Sequence, residues 1–414
     1  VEVNDYIELK LTHSIHTSAR KSFRACRRRW DWIFNNFYYP TETAKPLEFG
    51  VAYHVAMETY YNPETWDFTK NPEIHPVLVE LAIAAFADVC AAQRSEYINL
   101  NGTIDPERDQ DYKERLELGK GMLHYHLGEV APQIDNFTPI RVEIPFEVPI
   151  TNPDTGEQLW CKCNTCWQRW MAWPERPPYY GDEHTYKDEW QGLPVTYGGR
   201  IDALVEDQLG RLWIVDWKTA ARLSADNDVF LLLDDQISSY VWALRSLGLS
   251  VAGFIYHEQR KAFPEPPEPL TRRYKGKLFS TNKQQNTTLE LFTETVREND
   301  PVGYEEGVYD EFIAFLGTSE GTGFYDRKQI HRGDRELYQI HRNIYLEALE
   351  MTNPELLIYP NPGRFGCNYC AFREPCIEKN EDSDYIYTLT TMYDRRKYHY
   401  WEDKKPSTES KGGE

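Results

Sequence analysis

Two short stretches constrain this chain more than anything else in it: Gly198-Gly199-Arg200-Ile201-Asp202 and Trp213-Ile214-Val215-Asp216-Trp217-Lys218. Each has the apolar content of a strand, and Asp207-Gln208-Leu209-Gly210 between them has the composition of a hairpin turn. Side chains two apart on a strand share a face, so Asp216 and Lys218 project together. Asp202 is then expected across from them on the neighbouring strand. Two carboxylates and an ammonium at one strand end suit a divalent cation and a phosphate, because hard cations such as Mg²⁺ take carboxylate, water and substrate oxygens.

Further segments extend the pattern. Asp235 to Leu244 has helical character and carries Gln236 and Tyr240 one turn apart, on one face. Phe49 to Glu58 places Gly50 one turn before His54 on a second helix. Cys26 stands near the N-terminus, and Cys367, Cys370 and Cys376 form a C-x2-C-x5-C run near the other end. Four thiolates suit either a [4Fe–4S] cluster or a structural zinc ion.

In this order the segments resemble the PD-(D/E)XK nuclease superfamily. Asp202 matches its first acidic position and Asp216-Trp217-Lys218 its (D/E)XK element. Gly50-x-x-x-His54 and Gln236-x-x-x-Tyr240 resemble the RecB-like branch, and the four cysteines resemble its iron–sulfur members. Those members include AddB-type helicase–nuclease subunits and the CRISPR-associated adaptation nuclease, with phage-encoded relatives. The resemblance implies catalytic roles for His54, Asp202, Asp216, Lys218, Gln236 and Tyr240, with His54, Asp202 and Asp216 holding Mg²⁺ or Mn²⁺. It implies a [4Fe–4S] cluster on Cys26, Cys367, Cys370 and Cys376, with structural zinc as the alternative. It also implies a glutamate on the strand before the first catalytic Asp, a position Glu143 can fill, although an ordinary surface carboxylate explains that residue equally well.

The fold class expected is α/β, a restriction-endonuclease-like core with a mixed sheet flanked by helices, helical insertions, and a cluster joining the two end segments. Residues 1–61 are read as an N-terminal segment, 62–135 as a helical insertion or cap, and 136–260 as the nuclease core. Residues 261–352 are a basic and helical region, 353–403 the cysteine region, and 404–414 a disordered tail. Within the core, 151–197 reads as an insertion without regular elements. Its Cys161-x-Cys163-x2-Cys166 run represents either three free thiols or a zinc site completed by His184 or Cys90.

The formal net charge of −20 repels DNA at long range, so a nucleic-acid enzyme of this composition needs local basic surfaces. Arg24, Arg27 and Arg28 beside the first cysteine are one candidate. Arg272, Arg273, Lys275 and Lys277 are the other. No uninterrupted apolar run of membrane-spanning length and no signal peptide is visible, so no membrane partner is expected. Eight cysteines in clustered spacing favour metal in a reducing cytoplasm, bacterial or phage-infected.

The function expected is an exonuclease working on DNA ends or single strands in recombination, repair or replication, with a helicase or recombination partner. The alternative is a catalytically weak DNA-binding or scaffolding subunit.

Overall fold

The computed structural model describes residues 11–41, 45–66, 74–98, 102–173, 187, 190–223, 227–318 and 323–395. Its strands in chain order are β1 (His13–His16), β2 (Tyr38–Pro40), β3 (Phe137–Pro149), β4 (Trp160–Cys161), β5 (Leu193–Asp207), β6 (Leu212–Ala220), β7 (Val251–Arg260), β8 (Pro269–Tyr274), β9 (Lys277–Phe279), β10 (Tyr325–Ile330) and β11 (Tyr393–Arg395). Strands β1, β3, β4, β5, β6, β7 and β10 form one mixed sheet with helices on both faces.

The hairpin turns where the sequence indicates. Asp207 N–H donates to the Arg211 carbonyl at 3.0 Å, and Asp207 Oδ1 accepts from the backbone of Leu209 and Arg211 at 2.9 Å each. Gly210 takes the left-handed conformation (φ 74°) that closes the turn, which a Cβ would disfavour. A helix (Asp235–Ser246) then crosses from β6 to β7, which run parallel. Asp234 begins that helix, its side chain accepting from Ile237 N–H.

The alternation of β6 divides its side chains between two cores. Trp213, Val215 and Trp217 join one with the His54 helix (Lys45–Tyr60) and the long helices Ile74–Ser95 and Pro106–Tyr125. Ile214 joins the other, with the Asp235–Ser246 helix, the N-terminal helix Thr17–Ala25 and the helix Asp334–Met351. The helices read from sequence as an insertion or cap therefore lie directly on the sheet as one of its layers. The His75–Ser95 stretch is long and apolar enough by composition to cross a membrane, with a mean hydropathy of 1.6. Its Leu78, Val79, Ala82, Phe86 and Cys90 are nevertheless buried in that layer.

Two smaller cores stand apart. Phe279, Phe292, Val296, Tyr309, Phe312 and Leu316 gather residues of the 269–318 region, where the basic stretch forms the β8–β9 ribbon. Trp32, Tyr38, Phe372 and Leu389 gather the two end segments of the chain, and β2 pairs antiparallel with β11 there. Phe23, Trp30, Ile33 and Phe34 recur at helical spacing and predict one helix over residues 18–38, but the helix is interrupted. Cys26 is extended (φ −165°, ψ 111°) between Thr17–Ala25 and Arg27–Trp30. The weak alternation of residues 1–12 predicts a strand or extended arm, of which 1–10 lie outside the described residues, as does the 404–414 tail.

The insertion expected to be irregular contains β4, the helix Asn164–Met171 and the start of β5. Its Trp167 and Trp190 are buried in the main core, so apolar burial orders a segment whose proline content pointed to loop.

Candidate active site

Strand β5 is shared unequally by its neighbours. Strand β3 follows one edge from Thr196 to Asp207. On the other, β1 pairs in parallel with Val195 to Gly198, and β6 pairs antiparallel with Ala203 to Glu206. Residues Gly199 to Asp202 fall between those two ladders. At this gap Asp202 Oδ2 accepts the Trp217 backbone N–H at 2.9 Å, a side-chain bond where the ladder has ended.

Three donors converge there. His54 Nδ1 lies 3.3 Å from Asp202 Oδ2. Glu143 sits between the registered pairs Val142↔Ala203 and Ile144↔Ile201, hence across from Asp202. The donor atoms of His54, Glu143 and Asp202 all lie within 4.8 Å of one another. Glu143 has a left-handed backbone (φ 48°), uncommon for a residue with a side chain and found most often where surroundings over-determine it. Arg200 Nη1 holds its carboxylate at 3.1 Å.

Asp216 faces the same region differently. Its Oδ2 is 2.6 Å from Lys218 Nζ, and its Oδ1 accepts from Gln236 Nε2 at 3.2 Å. Tyr240, one turn beyond Gln236, is buried and packs edge-on against Phe146 with ring centroids 5.1 Å apart. It lines the wall of the site within electrostatic reach of Asp216 and Asp202. The His54 helix is fixed from behind by Tyr53 Oη, which donates to Gln259 Oε1 at 2.6 Å. Among the described residues, a side chain at Gly50 would meet no atom within 4 Å, so they leave the helix surface one turn before His54 open.

Burial is the largest single influence on each of these groups, but not always the net one. It pushes Asp216 up to about 6, with Asp202 adding to the rise against Lys218. It also raises Glu143, again helped by Asp202. Burial opposes charge on His54 and Lys218, but the neighbouring carboxylates outweigh it and hold both above their ordinary values. Asp202 is held below the usual range despite burial, by His54 and Lys218. The site thus keeps a charged ammonium beside one firmly ionised carboxylate.

The proposed DNA-contacting residues divide. Arg24 pairs with Asp235 and Glu347 at 3.2 Å each, and Arg27 with Glu350 at 2.6 Å. Arg28 is buried and bonds the Cys376 carbonyl and Asn380. Arg24 and Arg27 of the first basic run are therefore met by acids far along the chain, Arg24 while still exposed, and Arg28 alone is turned inward. In the ribbon, Arg273 binds Asp300 at 2.8 Å and Lys277 bonds Thr281, while Arg272 and Lys275 are exposed.

Cys26, Cys370 and Cys376 come together electrostatically, each of the other two raising the Cys370 thiol beyond the effect of burial. Cys367 lies on the surface nearby, with Gly363 N–H at 3.4 Å from its Sγ. Cys90 is no partner for the 161–166 thiols. It is buried in the Ile74–Ser95 helix near Arg115 and Glu48, and His184 lies outside the described residues. The residue beside those thiols is His13, whose Nδ1 is 3.1 Å from Cys166 Sγ.

A family model for the PD-(D/E)XK nuclease superfamily matches residues 17–377. Among curated proteins, none matches the chain.

Proposed function

The chain belongs to the PD-(D/E)XK nuclease superfamily, which implies a nuclease-type function, and we propose from this that it is a metal-dependent deoxyribonuclease acting at DNA ends. The observation that carries the reading is the meeting of His54, Glu143 and Asp202 within 4.8 Å, beside the Asp216–Lys218 pair. An imidazole and two carboxylates fit Mg²⁺ or Mn²⁺. When bound, such an ion lowers the pKa of water and neutralises charge on the phosphate.

The remaining work falls to the chain. Lys218, kept protonated by Asp216 and Asp202, offsets the charge that builds on the phosphoryl oxygens. It acts as an electrostatic group, since the same carboxylates oppose its loss of a proton. Asp216 holds Lys218 through one oxygen and is itself oriented by Gln236 through the other. Asp202 orients His54 and is tied to the β6 backbone, so the donors are presented without reorganisation. Tyr240 supports the wall, and the open surface at Gly50 admits the sugar–phosphate backbone. Preference for ends rests on the RecB-like order of Gly50/His54 and Gln236/Tyr240. Arg272 and Lys275 are the exposed cations of the ribbon available to phosphates.

Cys26, Cys367, Cys370 and Cys376 are assigned to a [4Fe–4S] cluster that fastens the chain's end segments. Cys370 and Cys376 pack against the small core of Trp32, Tyr38, Phe372 and Leu389, and Cys26 acts electrostatically on Cys370, which supports this. A mononuclear tetrahedral zinc would draw its sulfurs to about 3.8 Å of one another, and among the described residues these four do not form a set within 4.8 Å.

The test compares end-labelled linear DNA with covalently closed circles, single- and double-stranded, with Mg²⁺ or Mn²⁺ or with EDTA, on iron-analysed protein. Metal-dependent loss of linear DNA with circles intact is expected. Equal cutting of circles would replace the end-directed reading with an endonuclease. No cleavage of any substrate by the fully loaded protein would leave a DNA-binding or scaffolding subunit.

A further inference from the structure

We propose that His13, Cys161, Cys163 and Cys166 bind one structural zinc ion, at a site separate from both the nuclease centre and the C-terminal cysteines. Their donor atoms, one imidazole nitrogen and three sulfurs, all lie within 4.8 Å of one another. In tetrahedral zinc with Zn–S near 2.3 Å the ligand atoms stand about 3.8 Å apart, so only a small contraction closes the shell. Three thiolates and a histidine is a ligand set of structural zinc, closed to substrate.

Local structure prepares each ligand. Cys161 ends β4, which pairs with the start of β5 through Cys161↔Leu193. Gly192 lies just before, at φ +104°, where a Cβ would come within 2.8 Å of the Cys161 carbonyl, so glycine lets the two backbones close. Cys163 is the N-cap of Asn164–Met171, and its Sγ accepts the Cys166 backbone N–H at 3.4 Å. Such N–H···S bonds neutralise part of a thiolate's charge and orient it toward a metal. The fourth ligand arrives from a distant part of the sequence, 153 residues before Cys166. Strand β1 delivers it by pairing His13 with Val195 of β5, two residues from the Cys161 partner.

A disulfide would join two of the thiols and leave the third, with the half-buried imidazole, without a function. Four donors around one point account for all of them. The ion would lock β1 to the insertion and so set the position of the helix that follows, where Thr17 Oγ1 meets Tyr197 Oη at 2.5 Å. It would also form one wall of a cleft of about 500 Å³ that Trp30, Phe34, Met351 and Leu356 line from the other sides. The inference does not rest on the nuclease reading, since it concerns metal content and the anchoring of β1.

The experiment measures zinc and iron together by mass spectrometry on the full chain purified without added chelator. About one zinc per chain is expected in the wild type. His13→Ala and Cys163→Ser should lower zinc several-fold and leave iron and its visible absorbance unchanged, and Cys90→Ser should alter neither. Cobalt-substituted protein should show the d–d bands of a tetrahedral thiolate site, lost in Cys163→Ser. Should the variants fold poorly, wild-type protein suffices. Alkylation of Cys161, Cys163 and Cys166, read by peptide mass, should be slow until a zinc chelator is added. Wild type without zinc, a disulfide among these cysteines, alkylation indifferent to chelator, or full zinc in both variants would each overturn the site.

Discussion

Trp217 donates its backbone N–H to Asp202 Oδ2 at 2.9 Å, at the place where the β5–β6 ladder has just ended at Ala203↔Val215. The residue between the two motif positions of Asp216-Trp217-Lys218 thus has a definite task. Its amide fixes the first acid, while its indole, 1% exposed, stacks on Tyr61 with centroids 4.8 Å apart. Replacing Trp217 with Ala should cost about 3–5 kcal/mol of stability, measurable by denaturant unfolding, whereas Trp217→Phe should cost much less and retain cleavage. Equal losses for both would assign the cost to something other than lost volume.

Lys218→Ala should lower kcat by roughly 10²–10³, the loss expected from removing one transition-state charge donor. Mn²⁺ affinity, followed by electron paramagnetic resonance, should change little, because Lys218 touches Asp216 rather than the His54–Glu143–Asp202 set. A variant cutting at the wild-type rate would remove the role given to this ammonium.

Glu143→Gln tests the donor that sequence reasoning left open. Its carboxylate lies within 4.8 Å of His54 and Asp202, so the variant should need roughly 10–100-fold more metal for half-maximal activity. Partial recovery at high Mn²⁺ is expected. Unchanged metal dependence would return Glu143 to its salt bridge with Arg200.

His126 and His257 make stability depend on pH. They stack with centroids 4.5 Å apart, and both are fully buried. Burial, with Arg327 nearby, lowers His126 to about 3, and burial, His126 and Arg327 push His257 well below its usual value. Both stay neutral in the fold, while the unfolded chain takes up protons below about 6.5. Stability is therefore present above that pH and is lost as pH falls from about 6.5 toward 3, at up to about 1.4 kcal/mol per pH unit for each histidine. Urea unfolding of His126→Phe at pH 5, 6 and 7.5 should show a shallower acid loss than the wild type. Parallel pH profiles would show that carboxylates carry the dependence instead.

Cys370→Ser should remove iron and raise hydrogen exchange in β2, β11 and Arg27–Trp30, leaving β5 and β6 protected. Iron retained at the wild-type level would exclude Cys370 as a ligand.

The hairpin of β5 and β6, the crossover helix and the His54 helix were legible because local pattern sets them: alternation, a turn built on Asp207 and Gly210, and an Asp234 cap. What escaped was set by distant pairing. The reach of Glu143 to the site follows from β3 register and a left-handed backbone. The pairing of Arg24 and Arg27 depends on Glu347 and Glu350, whose proximity nothing near residue 24 reveals. Likewise Cys90 was a natural fourth donor by composition, but the position beside Cys166 belongs to His13, brought by a parallel strand. Cys26 interrupts a continuous helical periodicity because its own extended backbone, not its neighbours' propensity, decides the break.

The pairing of Tyr38–Pro40 with Tyr393–Arg395 has a bearing on biosynthesis. A nascent chain exposes Trp32 and Tyr38 long before the Tyr393–Arg395 strand that pairs beside them is translated. That corner can close only once this later strand has emerged, so a product stalled ahead of it would display an uncovered aromatic surface to chaperones and proteases.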